Sequence, residues 1–264
     1  MYNNKEWSKN AKVGLYCQLG GALDMANFSI KCAILNSGLQ KDEVELIFIT
    51  WKSKPHVYEW LELNNFKFYE MPYDEGKGFL WNLYKGWNAG YEQLFPHVPL
   101  VCPIATDHYF YKDWLKNLVK NCKENRIVNC KLVEPGTLDT LHTAKNYGVT
   151  VDGEFQKQEF DKWAEEFTVN HKDELVFDDC IPNARGGKYG HRLDAMPFAL
   201  SRDVWTRFGP MLQTLDAHGI TGDTNFFNRC KEGGVEITKA LDAISYHSGG
   251  AETRRNQQAG NIYT

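Results

Sequence analysis

Residues 100–115 read LVCPIATDHYFYKDWL. The opening LVCPIA is short and wholly apolar, with Pro103 its only break, which is the pattern of a strand buried on both faces. Residues 113–125 then place Trp114, Leu115, Leu118, Val119 and Cys122 on one helical face. Between the two stands Asp107, just past the carboxyl end of the expected strand. A buried strand feeding an amphipathic helix is the repeating unit of an α/β sheet, and open sheets of this kind bind ligands at the carboxyl ends of their strands. A carboxylate there suits Mg²⁺ or Mn²⁺, which prefer hard oxygen ligands and bridge diphosphates. The plain alternative is a helix N-cap.

The same alternation runs back toward the start of the chain. Residues 12–18 (KVGLYCQ), 43–51 (EVELIFITW) and 66–71 (FKFYEM) read as strands, and residues 23–39, 56–63 and 79–94 as helices. Repeated strand–helix–strand units predict a mostly parallel central sheet with helices on both faces. After residue 133 the character changes. Residues 134–188 are polar, with an aromatic-bearing helix expected over 154–167. Residues 182–192 (PNARGGKYGHR) form a basic, glycine-rich loop, either a functional lid or a solvated connection. No Pro/Ser-rich linker separates the halves, so one domain with an inserted region is expected.

Composition narrows the class. The 264 residues carry 30 Lys plus Arg against 34 Asp plus Glu, a formal net charge of −4. With 42% hydrophobic and 24% charged residues, a disordered chain, a collagen-like chain and a polycationic tail are excluded. No apolar run reaches the roughly 18 to 20 residues of a membrane span, and residues 1–12 lack the apolar stretch of a signal peptide. Seven scattered cysteines without a CxxC pair fit reduced thiols in a cytoplasmic protein. The unusual number is the aromatic share: 8 Trp, 13 Tyr and 15 Phe. Phe110, Trp114, Phe198 and Phe208 fall at packing positions. Trp51, Trp81, Tyr84, Trp87, Tyr109 and Trp163 are read as faces for a nucleotide base or a sugar ring.

Four further segments carry chemistry. Residues 222–229 (GDTNFFNR), followed by Gly233-Gly234, put Asp223 at the start of an expected helix, where the dipole and free N–H groups favour negative charge. A carboxylate so placed can take a proton from an incoming hydroxyl. Residues 76–86 read GKGFLWNLYKG and residues 198–209 read FALSRDVWTRFG. Residues 243–247 (AISYH) end a strand in His247, with Ser248-Gly249-Gly250 and then Arg254-Arg255 beyond. Guanidinium pairs suit a diphosphate because they bind it bidentately.

In their order along the chain the segments resemble the family 2-type glycosyltransferases of the GT-A (nucleotide-diphospho-sugar transferase) fold, over residues 13–247. Asp107, Phe110 and Trp114-Leu115 match the family's D-x-x-F-x-x-x-W-L spacing, and residues 222–234 its E-D-x-D-x-x-x-R-x-x-x-x-G segment. Residues 76–86 and 198–209 match its G-x-x-x-A-x-N-x-G region and the hydrophobic segment ahead of the base. The resemblance implies an inverting hexosyl- or pentosyltransferase that uses a nucleotide-sugar, UDP-sugar first, with a divalent cation, Mn²⁺ or Mg²⁺. Residues 12–133 would form the nucleotide-sugar-binding half of a single domain, and residues 134–264 the half that binds acceptor and supplies the base. Asp223 would be the general base, and Asp107 and His247 the metal ligands. Tyr16, Gln18, Trp51, Asn82, Asp107, Arg254 and Arg255 would bind the donor. Arg185, Lys188, His191, Arg192 and Trp163 would meet the acceptor.

The chain departs from the family pattern at three places. Ala105-Thr106-Asp107 keeps only the last carboxylate of the usual D-x-D, leaving His108 or His247 to complete the metal shell. Thr50-Trp51-Lys52-Ser53 stands where an aspartate usually reads uracil, so the base is expected to stack on Trp51. Gly222 replaces the usual glutamate before the base. A saccharide or glycoconjugate acceptor comes first. The local basic patches also admit a hydroxymethylated base of viral DNA, although a net charge of −4 opposes non-specific nucleic-acid binding. A sugar nucleotidyltransferase would need a basic phosphate loop that QLGGALD, residues 18–24, lacks. A non-catalytic carbohydrate-binding protein on a transferase fold is the remaining alternative.

Overall fold

The computed structural model describes residues 8–20, 22–51, 55–94, 97–135, 143–149, 153–180, 196–217, 219–220 and 222–248. Among these the strands are β1 (Val13–Gln18), β2 (Val44–Trp51), β3 (Lys67–Met71), β4 (Leu100–Ile104) and β5 (His108–Phe110). They continue as β6 (Arg126–Glu134), β7 (Thr143–Ala144), β8 (Leu175–Phe177), β9 (Phe198–Ser201) and β10 (Glu236–His247). The helices are α1 (Leu23–Leu35), α2 (Pro55–Leu63), α3 (Phe79–Ala89), α4 (Trp114–Val119), α5 (Lys157–Asn170), α6 (Arg202–Phe208) and α7 (Gly222–Glu232). One sheet takes the order β3-β2-β1-β4-β9-β6-β10-β5, with β7 beside β6 and β8 beside β10.

Strand direction decides where chemistry can gather. β1 runs parallel to β2 and β4, β2 to β3, and β6 to β10. β9 is antiparallel to both of its neighbours, β4 and β6. Two reversals cancel, so β1 to β4, β6 and β10 all end at one edge of the sheet.

The two faces of β1 explain its apolar run. Leu15 and Cys17 pack with Ala26 and Ile30 of α1, Val57 and Leu61 of α2, and Trp114 and Leu118 of α4. Tyr16 turns the other way, toward Tyr84 of α3, Trp205 of α6 and Phe226 of α7. A third cluster holds Phe160 and Ala164 of α5 against Val133, Ile244 and Tyr246. The expected layering, helices on both faces of a mostly parallel sheet, is therefore the observed one.

The differences are local. The helix expected over 79–94 is α3 prolonged by a π-turn at Gly90–Leu94. That over 113–125 is only Trp114–Val119, and that over 154–167 begins three residues later. β6 is a buried strand next to β10 that the periodicity does not predict, because Asn129 and Lys131 interrupt its apolar run. All seven cysteines stand as free thiols. Among the described residues no helix is long and apolar enough to cross a membrane.

Candidate active site

Three neighbouring strand ends build the first part of the site. β6 and β10 run in parallel register with Val133 beside Tyr246, so the next residues, Glu134 and His247, come side by side. On the other flank of β10, His247 is the direct partner of His108 in antiparallel β5. Asp107 precedes His108, and its carbonyl accepts a bond from the Ser248 amide at 3.0 Å, tying the two chain segments together. His247 then bonds through Nδ1 to Glu134 Oε2 at 2.5 Å and through Nε2 to Asp107 Oδ2 at 3.0 Å. The His108 ring stacks on His247 with centroids 4.8 Å apart.

The electrostatics follow from this crowding. Burial by itself would lower the His247 pKa, but the bonds to Asp107 and Glu134 raise it to about 10. Burial likewise opposes ionisation of Asp107, yet the contact with His247 holds its carboxyl below the usual carboxylate range. His108 goes the other way: burial, then the nearby His247 charge, pushes it down to about 3. Two carboxylates thus surround one positive ring, beside a second imidazole that stays neutral. This is a place built to hold positive charge.

A divalent cation fits that place. Asp107, His108 and His247 each offer one ligand atom, all within 4.8 Å of one another. Neutral imidazole is the metal-binding form of histidine: His108 holds it already, with Nε2 3.9 Å from Asp107 Oδ1, and a cation would displace the Nε2 proton of His247. The donor set, one carboxylate and two imidazoles, suits a transition ion such as Mn²⁺ better than Mg²⁺, which prefers oxygen ligands.

The second part of the site lies at the start of α7. This helix leads into the amino end of β10, so its own amino end points back to the edge where the parallel strands finish. Asp223 stands there, and its Oδ1 accepts bonds from the Tyr84 hydroxyl at 2.9 Å and from the Thr224 amide at 2.7 Å. Gly222 is explained by packing: a Cβ would run into the Leu212 carbonyl oxygen and press on the Tyr84 ring at 3.1 Å. A glutamate cannot occupy that position without moving the loop before α7. Tyr84 fastens the Asp223 carboxylate from the facing helix, a role no local pattern around Tyr84 announces.

The donor candidates divide. Tyr16 is 1% exposed and packs edge-on against Tyr91 at 5.3 Å between centroids. Trp51 is 2% exposed, in the same core cluster, against the bare Cα of Gly86. Both rings belong to the core under the edge, so the open stacking face expected of Trp51 is corrected to a buried one. Tyr84 and Tyr109 are buried as well, so that much of the aromatic excess is core packing. Asn82 spends its amide on the backbone of Asp74 and Gly78, shaping the loop before α3. Gln18 reaches across from β1 to the Leu83 carbonyl at 2.9 Å. Trp163 packs against the third cluster and stacks on Phe167 at 5.1 Å. Arg185, Lys188, His191, Arg192, Arg254 and Arg255 lie outside the described residues.

Burial makes one consequence measurable. Trp51→Ala is expected to cost about 3–5 kcal/mol of stability, the usual result of emptying a large aromatic site in a core. Urea denaturation checks it; a loss below about 1 kcal/mol would mean the ring is not packed as described.

No protein-family profile and no curated protein sequence matches the chain. Solved structures do. The chain is similar to the crystal structure of GalNAc-T7 with UDP, GalNAc and Mn²⁺, at 14% identity and a TM-score of 0.56, over 90% of this chain and 44% of that one. It is also similar to the crystal structure of S. aureus TarS 1-349, at 10% identity and a TM-score of 0.54, over 94% of this chain and 64% of that one. The chain therefore spans less than two thirds of either. At these identities the likeness concerns the fold: the chain has a GT-A-like glycosyltransferase fold.

Proposed function

We propose that the chain is a glycosyltransferase that moves a sugar from a nucleotide-sugar donor to an acceptor hydroxyl, with inversion and with the aid of a divalent cation. The observation that carries this reading is the Asp107, His108 and His247 cluster at the strand-end edge of a GT-A-like sheet. The structural neighbour solved with UDP, GalNAc and Mn²⁺ supports the same donor chemistry. We take the donor to be a UDP-sugar and the cation to be Mn²⁺, because two imidazoles suit it.

The donor lies along the carboxyl edge, with its diphosphate at the Asp107 and His247 end. Asp107, His108 and His247 would hold the cation, which would supply positive charge to offset that developing on the leaving diphosphate. Gln18 borders this edge, and Tyr16 and Trp51 act on it through packing from below. The loop that Asn82 braces lies on the same side. Asp223 takes the proton from the acceptor hydroxyl, held ready by the Tyr84 bond. The acceptor oxygen attacks the anomeric carbon opposite the leaving nucleoside diphosphate, in one displacement through an oxocarbenium-like transition state. Arg254 and Arg255 are assigned to the diphosphate. Trp163 and the basic residues between 185 and 192 are assigned to the acceptor, a saccharide or glycoconjugate. Buried free thiols fit a reducing compartment such as the cytoplasm.

The direct test incubates the protein with a panel of nucleotide-sugars, with and without Mn²⁺. Release of free nucleoside diphosphate that depends on Mn²⁺ is expected from one of them. Consumption of added pyrophosphate, with release of nucleoside triphosphate and sugar-1-phosphate, would indicate a nucleotidyltransferase instead, and binding without turnover a carbohydrate-binding protein. NMR of the transferred sugar should show the anomer opposite to that of the donor; the same anomer would remove Asp223 from the role of base in a single displacement.

A further inference from the structure

Glu134 stands outside the cluster of ligand atoms but touches its central member. The parallel register of β6 with β10 sets it beside His247, and its Oε2 lies 2.5 Å from His247 Nδ1. The opposite ring nitrogen, Nε2, is the one that meets Asp107. A carboxylate on one nitrogen of an imidazole fixes the ring's orientation, keeps a hydrogen on that nitrogen and leaves the lone pair on the other for a metal. Glu134 is itself held in place. Its carbonyl accepts a bond from the Lys145 amide at 3.0 Å, and β6 is buried along its length up to this residue. The His108 ring stacks against one face of the His247 ring.

We propose that Glu134 is the positioning residue of the metal site: it orients His247 so that Nε2 faces the space shared with Asp107 and His108. The inference rests on the reading of that cluster as a metal centre. A different account is available for the same contact, an ion pair that merely staples two strand ends together. The two accounts differ in what Glu134 does for metal affinity.

The test measures binding of Mn²⁺ alone, by calorimetry and by the loss of the free-ion EPR signal, on the full chain. Glu134→Ala is expected to weaken Mn²⁺ binding by about 10- to 100-fold, the usual effect of removing such an outer partner. Glu134→Gln keeps an oxygen that accepts the Nδ1 hydrogen, so it should bind between the two. Equal Mn²⁺ affinity in wild type and in Glu134→Ala, with only a lower melting temperature, would overturn the proposal in favour of the staple. Failure of the wild type to bind Mn²⁺ would instead remove the metal centre, and this inference with it. Should the variants not fold, ¹⁵N NMR of the wild-type imidazoles with diamagnetic Mg²⁺ or Zn²⁺ decides. His247 must then show its hydrogen on Nδ1, and a hydrogen on Nε2 overturns the proposal.

Discussion

Asp223→Asn is expected to lower kcat by about 10²-fold or more, the range that a general base contributes, while the donor Kd stays within about twofold. The selectivity of that loss comes from the local geometry. An asparagine keeps the oxygen that accepts from the Tyr84 hydroxyl and the Thr224 amide, so the start of α7 should hold its shape. The substitution removes only the capacity to take a proton. Gly222 reinforces this, since the backbone there is pressed against Leu212 and Tyr84 and has little freedom to rearrange. Steady-state kinetics on the active nucleotide-sugar, beside direct titration of donor into the variant, gives both numbers. Wild-type turnover would exclude Asp223 as the base. A parallel loss of donor affinity would instead place it against the donor.

Asp107→Asn should have the largest effect on cation dependence. The change leaves volume almost constant but removes the charge from the only carboxylate among the three candidate ligands. His247 would keep its contact with Glu134 and lose the charged partner of Nε2. Transfer is expected to fall by about 10²- to 10³-fold, the cost of removing one electrostatic element that stabilises developing charge. The Mn²⁺ concentration needed for half-maximal activity should rise as well. Activity measured over a Mn²⁺ series, with an EDTA control, reads out both. A variant that transfers at the wild-type rate in EDTA would end the case for a metal at this edge.

Much of the fold was legible because its elements repeat a period. Residues 12–18 are a short apolar run and residues 43–51 alternate before running apolar, the pattern of strands entering a core between helices. The amphipathic faces of α1 and α4 point the same way. β6 was not legible, because Asn129 and Lys131 look like surface residues until Thr238 of β10 supplies a backbone partner for the first and Phe167 a ring for the second. Trp51 shows the reverse difficulty. An aromatic at a strand end reads equally as core or as a ligand face, and burial at 2% decided for the core.

The candidate site was legible only residue by residue. Asp107, His247 and Asp223 could be singled out because each carries its own local sign: a strand end, a helix start, a motif spacing. Which of them meet is a property of strand register. His108 and His247 lie 139 positions apart and become neighbours through the β5–β10 pairing, while Glu134 joins them through β6. Tyr84 reaches Asp223 only because α3 and α7 share one face of the sheet. The sequence by itself determined the layers, the strand-end edge and the residues with suitable chemistry, since burial periodicity and end signals act over a few residues. The tertiary structure alone decided the partners, because charge, hydrogen bonding and ligand geometry act through space at about 3 Å and take no account of distance along the chain.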